Sequence, residues 1–160
     1  MRSTKGFSLI ELLLVVAIIL IIAAIAVPSF LRSRMAANES SAAESIRTLN
    51  TAQISYNSAY PTVGFAATLS ALGGDTTSCT PPSSTRACLI DDALAAGSKS
   101  SYSFTLTNVT GTPNSTYNVI AAPSTINYSG MRYFCSYSDA VVRVSMSPIS
   151  TCDNTVSPQN

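Results

Sequence analysis

The sequence contains no histidine and no tryptophan, and only 11% of its 160 residues are charged. Without an imidazole there is no Ser-His-Asp or Cys-His nucleophile pair, no His-ligated metal and no imidazole general base, so most hydrolase mechanisms are excluded at once. An excess of either charge is missing too: nine basic and eight acidic side chains leave a formal net charge of +1. Such a chain offers a polyanion no electrostatic footprint, and nucleic acid is not an expected partner. No catalytic triad, clustered metal ligands or cofactor motif stands out, so the chain reads as a non-enzyme with no cofactor and no metal. An apolar content of 46% excludes disorder, and the length is one domain's worth, too short for two full cores.

The apolar residues are concentrated near the N-terminus. Leu12 to Leu31 are 20 consecutive residues without a charge, nearly all Leu, Ile, Val and Ala, long enough to cross a bilayer as a helix. A short basic segment, Met1-Arg2-Ser3-Thr4-Lys5-Gly6, precedes them. A secretory signal peptide cut after Ala26 fits the A-x-A spelling of Ala24-Ile25-Ala26. The apolar run is nevertheless longer than the usual signal, and Glu11 interrupts its start, where an ionised carboxylate costs on the order of 3 kcal/mol in a bilayer. A plain membrane anchor accounts for the length and again leaves Glu11 without a role. Cleavage between Gly6 and Phe7 gives it one. The new ammonium at Phe7 and the carboxylate of Glu11 then lie four residues apart at the start of a helix, where an acid is favoured. Between two copies shifted axially by a few residues, the Glu of one neutralises the ammonium of the other, and two groups costly to bury singly become cheaper together.

The run Lys5-Gly6-Phe7-Ser8-Leu9-Ile10-Glu11-Leu12-Leu13, with Ala23-Ala24-Ile25-Ala26-Val27-Pro28 beyond it, resembles the N-terminus of type IV pilins. The resemblance covers the leader and the first half of the helix, and Gly6, Phe7, Glu11 and Pro28 match position for position. It implies cleavage after Gly6 and methylation of the Phe7 amine by a membrane prepilin peptidase. It also implies recruitment of subunits through Glu11, a helix kink at Pro28, and a four-stranded sheet wrapped on the second half of the helix.

Beyond Pro28 the sequence stays helical and becomes amphipathic. Met35, Ala42, Leu49 and Tyr56 recur every seven residues with Ile46 and Tyr60 on the neighbouring row, while Arg32, Arg34, Asn38, Glu39, Glu44, Arg47 and Asn50 make the polar faces. Pro61 stops the helix, so Phe7 to Tyr60 would run about 80 Å, longer than a domain of this size encloses. The expected organisation is a leader over residues 1–6, a helix over 7–60 (7–31 for membrane and assembly, 32–60 amphipathic) and a head over 61–160. In the head a short helix is expected over Ala66 to Leu72, stopped by Gly73-Gly74, with strands over Tyr102–Asn108, Tyr117–Ala122, Met131–Tyr137 and Ala140–Ser145. They form an antiparallel meander that lays Phe104, Val119, Phe134 and Val142 on the helix. The fold class is therefore α+β, a long N-terminal helix packed on a four-stranded antiparallel sheet with disulfide-stapled loops.

Cys79, Cys88, Cys135 and Cys152 allow three pairings. Nearest-neighbour pairing suits the segments, since Cys79 and Cys88 bracket a stretch with little to fold around and Cys135 with Cys152 would staple the Pro-bearing tail to the sheet; many pilins carry such a C-terminal loop. A four-thiolate zinc site lacks the close spacing that zinc ribbons use. Paired cysteines place the head outside the cytoplasm. Asn38, Asn108, Asn114 and Asn127 begin N-x-Ser/Thr triplets of the kind chance supplies in a Ser/Thr-rich chain. Asp91, Asp92, Asp139 and Asp153 read as solvated loop acids, not a calcium site.

These features lead us to expect a structural, major subunit of a type IV pilus-like filament. Its partners would be copies of itself, the prepilin peptidase/methyltransferase, the inner-membrane assembly machinery, and membrane lipid before assembly. It would sit in the inner membrane as a single-pass precursor with a periplasmic head, and outside the cell once assembled. The alternatives are a pseudopilin of a type II secretion system, a minor pilin, and a periplasmic binding protein that is anchored or cleaved after Ala26.

Overall fold

The computed structural model describes residues 6–74, 79 and 81–159. Met1 to Lys5, within the expected leader, lie outside the described residues. By internal contact the chain divides into Met1–Arg34 and Met35–Asn160.

The first unit contains the start of α1 (Leu9–Ala59). Between Leu9 and Ala59 the sequence has no glycine and is rich in Ala, Leu and Ile, so helix propensity is unbroken apart from Pro28. The Ser8 carbonyl accepts the Leu12 N–H at 3.2 Å, and Glu11 stands in the first turn. Two residues of the expected helix, Phe7 and Ser8, thus precede it. From Leu9 to Arg34 every side chain is exposed except the half-buried Ala23.

In the second unit the later turns of α1 behave differently. Ala42, Ile46, Leu49 and Tyr56 are buried together with Phe104, Val119, Phe134 and Val142 in one apolar core, while Met35, at the head of the expected stripe, is only half-buried. The helix ends as Tyr60 N–H bonds the Tyr56 carbonyl at 2.9 Å and Pro61 follows. Glu39 and Asn50, expected on a polar face, are instead buried at 7% and 4% exposure, and Asn38 is half-buried. The buried face of α1 therefore mixes polar with apolar groups, which a simple apolar count misses.

Two one-turn helices follow, α2 (Leu69–Leu72) and α3 (Asp92–Ala95). Thr68 caps α2, shortening the expected 66–72 helix, and Asp91 caps α3 by accepting the Leu94 N–H at 2.9 Å. Asp91 also pairs with Lys99 Nζ at 2.5 Å, so this exposed acid organises the loop it lies in.

The sheet has five strands in the order β1 (Ser98–Lys99), β2 (Tyr102–Gly111), β3 (Asn114–Pro123), β4 (Tyr133–Tyr137) and β5 (Arg143–Ser145), all antiparallel. The expectation of four is corrected by β1, a two-residue strand pairing Ser98 with Ser103 and Lys99 with Tyr102, too short for any periodicity to announce. The last two strands start later than expected. Met131 and Arg132 are held by α1, and Ala140, at φ 61°, turns the chain before β5. Gly64, at φ +84°, ties the turn after α1 to the start of β3: a Cβ there would lie 2.1 Å from the Asn114 carbonyl oxygen.

β3 is buried on both faces. Tyr117, Val119 and Ala121 join the α1 core, while Ile120 joins a second cluster with Cys135 and Cys152, covered by Tyr137, Ile149 and Val156. Cys79 bonds Cys88 and Cys135 bonds Cys152. The tail then runs along β5, with Val144 N–H donating to the Ser157 carbonyl and Gln159 N–H to the Val142 carbonyl, each at 2.9 Å, so the sheet edge is closed.

The two bridges differ in what replaces them. Segment 87–90 is already tied to α2 and its cap by backbone bonds from Ala87 to Ala71, Cys88 to Gly73 and Leu89 to Leu72, whereas Cys135 and Cys152 are core atoms of the second cluster. Replacing Cys79 and Cys88 by Ser is expected to cost about 2 to 3 kcal/mol, and replacing Cys135 and Cys152 at least about 1 kcal/mol more; chemical unfolding of the two double variants in detergent measures the difference.

Candidate functional site

The first functional feature is the N-terminal segment. Gly6 is exposed with no atom within 4 Å of where a Cβ would stand, Phe7 is 70% exposed, and Glu11 follows one turn into the apolar stretch. Pro28 lies inside α1. Between them Leu9, Ile10, Leu12, Leu13, Leu14 and their successors are about half to four-fifths exposed all round the helix. A helix apolar on every side needs an apolar environment on every side. At roughly 1.5 to 3 kcal/mol per side chain, burying ten of them is worth on the order of 20 kcal/mol, several times the cost of taking Glu11 along. Among the described residues α1 is the one helix long and apolar enough to span a membrane. The segment is thus a burial site awaiting a partner, with one carboxylate near its end.

The second feature is how the later turns of α1 hold the rest of the second unit. Three buried polar side chains reach three different segments. Glu39 accepts the Met131 N–H at 2.8 Å and the Arg132 N–H at 3.2 Å through Oε1, and the Arg132 Nε–H at 2.7 Å through Oε2. Asn50 donates to Ser136 Oγ at 2.9 Å and to the Ala140 carbonyl at 3.1 Å, and accepts from the Tyr117 hydroxyl at 3.2 Å. Gln53 clasps Ala66 from both sides, accepting its N–H at 2.8 Å and donating to its carbonyl at 3.1 Å. Each group is satisfied, which is the condition for burying it without loss. Burial tends to raise the Glu39 carboxyl, but the Met131 N–H and the Arg132 guanidinium outweigh it and hold the group below its ordinary value. Burial pushes the Tyr117 phenol up to about 12, so it stays a neutral donor to Asn50.

A third cluster pins the C-terminus. Arg143, 4% exposed, donates to both Asp139 carboxylate oxygens, to the Val141 carbonyl and to Asn154 Oδ1, and lies 4.4 Å over the Tyr137 ring. Asp139 is thus the counter-ion of a buried guanidinium and not a free loop acid. Burial works to raise its carboxyl, yet the Arg143 bonds and the Val141 N–H keep it below the usual range. Two of the N-x-Ser/Thr asparagines are also engaged: Asn38 Nδ2 donates to the Ser129 carbonyl at 2.9 Å and Asn114 Nδ2 to the Phe65 carbonyl at 2.8 Å. Among the described residues no three His, Cys, Asp or Glu side chains gather as a metal site would require.

Sequence reasoning named Gly6, Phe7, Glu11 and Pro28 and missed the Glu39, Asn50 and Gln53 contacts. One signal was available: 39, 42, 46, 49, 50, 53 and 56 follow a three-and-four spacing, so these polar residues share the stripe of Ala42, Ile46, Leu49 and Tyr56. Nothing in the sequence marks Arg132 as the partner.

Residues 1–27 match the family model of the prokaryotic N-terminal methylation motif. The chain is 56% identical over 39 residues to the type IV wide pilus major component PilA4 of Thermus thermophilus, covering 24% of this chain and 30% of that protein. It is 48% identical over 52 residues to the type IV major pilin protein PilA of Myxococcus xanthus, covering 32% of this chain and 24% of that protein. The chain thus spans less than a third of the length of either relative. No solved structure matches it.

The native Glu39 carboxyl is held below its ordinary 4.5, so its contribution is complete above that value and is lost as the pH falls through the lower native one. Glu39→Gln is expected to cost about 2 kcal/mol at neutral pH, the low end for one partner of a part-exposed pair. Its stability should also decline less than that of the unaltered chain between about pH 5 and about pH 3; unfolding midpoints across that range, read for both proteins, check the sign.

Proposed function

We propose that this chain, which carries the prokaryotic N-terminal methylation motif over residues 1–27 and resembles two type IV major pilins over 39 and 52 residues, is the structural subunit of a type IV pilus filament. The observation that carries the reading is the all-round exposure of the apolar turns of α1, interrupted by the single acid Glu11. Lipid covers those turns in the precursor, which spans the inner membrane once with its head on the periplasmic side. Copies of the same helix cover them in the filament outside the cell. The protein is then a substrate of enzymes and not an enzyme.

In this mechanism a prepilin peptidase cuts between Gly6 and Phe7 and the Phe7 amine is methylated. The cut removes Arg2 and Lys5 and leaves one positive group at the helix start. A free ammonium and a free carboxylate both resist transfer from lipid to a helical core, and pairing the Phe7 ammonium of one copy with Glu11 of the next lowers both costs together. Non-specific apolar contact supplies the energy, and this one pair selects the axial offset. Pro28 lacks the N–H that would continue the helical ladder, so it is the natural point for α1 to bend as copies pack. The disulfide pairs Cys79–Cys88 and Cys135–Cys152 keep the head intact once it meets the oxidising exterior.

N-terminal sequencing and intact mass of the surface fraction sheared from cells should give a chain beginning at methylated Phe7. A start at Val27, or an intact Met1 that stays in the membrane, would sink the reading. Glu11→Ala should be cleaved as usual yet appear in filaments at least tenfold less than the unaltered chain; equal incorporation would show that Glu11 does not set the offset.

A further inference from the structure

Between Glu11 and Glu39 the charged residues of α1 are Arg32 and Arg34, and both are exposed. This stretch contains no acid. Glu39 itself is committed, with one carboxylate oxygen on the Met131 and Arg132 N–H groups and the other on the Arg132 guanidinium. Among the described residues, Arg32 takes part in none of the ion pairs Glu39–Arg132, Glu44–Arg47, Asp91–Lys99 and Asp139–Arg143. A local excess of positive charge without an acid beside it calls for an anion from outside the chain.

The place of the two arginines says which anion. They stand where the exposed apolar surface stops, directly after Phe30 and Leu31. From Glu11 to Arg32 a helix rises about 30 Å, the thickness of a bilayer's hydrocarbon core, and the 20 residues between them are uncharged. With those turns in lipid, Arg32 and Arg34 reach the level of the phosphates at one membrane face while Glu11 stays near the other. An arginine stem can lie along the last apolar turn while its head extends into the headgroups, and a guanidinium takes a phosphate through two parallel N–H bonds. Two positions along a helix is a rotation of about 200°, so the pair points to nearly opposite sides. That is a collar and not a pocket, and it suits a planar array of phosphates better than one compact ligand.

We infer that Arg32 and Arg34 form a binding site for lipid phosphodiester groups, with a preference for anionic headgroups, on the side of the membrane that carries the head. This inference rests on the membrane-spanning precursor of the proposed function. The contact sets the depth of α1 in the bilayer, and a copy gives it up on leaving lipid, so anionic lipid retains the precursor pool in the membrane.

The test uses the full chain in vesicles of equal parts phosphatidylglycerol and phosphatidylcholine. Because the sequence has no tryptophan, Leu31→Trp places a single indole reporter beside Arg32. Two sets of vesicles carry bromine high on the acyl chains of one lipid or of the other. Indole quenching should be at least twofold stronger when the anionic lipid is brominated, and millimolar inorganic phosphate should leave that ratio unchanged. Adding Arg32→Gln and Arg34→Gln should bring the ratio close to one, whereas Arg32→Lys with Arg34→Lys, which keeps the charge, should retain a preference. Equal quenching by the two lipids with both arginines in place, a ratio unaffected by the glutamines, or a preference abolished by free phosphate overturns the headgroup site and leaves the filament reading standing. An indole quenched by neither lipid would show that α1 does not enter the bilayer, and the membrane-spanning precursor would fail together with this inference.

Discussion

The apolar surface of α1 cannot be satisfied by the chain that carries it. Through Leu31 nearly every side chain faces outward on all sides of the helix, and the apolar core of the protein begins at Ala42. Hydrophobic burial of that size exceeds the net stability of an ordinary domain, so the state of the protein is decided by what surrounds this segment. In the proposed function lipid surrounds it first and copies of the chain afterwards. The apolar gain outweighs the cost of the acid at position 11 in either setting.

The same helix changes its chemistry after Arg34. Hydrophobic contact with Phe104, Val119 and Phe134 brings the sheet onto α1, but that contact is non-directional and would tolerate sliding. Glu39, Asn50 and Gln53 remove the freedom. Each reaches a different segment of the head, the β3 to β4 loop, the β4 to β5 region and the turn after the helix. A shift of a single residue along α1 would leave several buried polar groups without partners, at about 1 to 3 kcal/mol apiece. The second face of the sheet is closed by the Cys135–Cys152 bridge and by the Arg143 cluster, which fixes the tail over β5. Both faces of β3 are thereby buried, a condition more often met by strands covered with helices on two sides.

Much of this was legible in advance. The helix through Tyr56, the four longer strands and the inward set Phe104, Val119, Phe134 and Val142 follow from periodicity and turn residues alone. The methylation motif was readable because it is a local string whose chemistry needs those residues at those spacings. Less local features were not. Strand β1 has two residues and exists because Ser100 and Ser101, at φ 51° and 60°, make the two-residue turn that folds Ser98 and Lys99 back onto the start of β2. Helix α3 is one turn long and depends on the Asp91 cap. A carboxylate and an amide such as Glu39 and Asn50 are usually solvated; their burial depends on hydrogen-bond partners 67 to 93 residues away.

Contiguous residues were enough to read an apolar helix with an N-terminal methylation motif, an acid one turn inside it, and a small disulfide-bearing α+β head. Those properties are written in contiguous residues, and hydropathy, periodicity and local spacing act over a few residues at a time. Only the tertiary structure decided which polar side chains enter the core, how the β3 to β4 loop is held on α1, and that the tail closes the sheet edge beside β5. Hydrogen-bond satisfaction is the physical reason. Whether Glu39 can be buried is settled by the Met131 and Arg132 donors that folding brings to it, and that meeting is a property of three-dimensional packing.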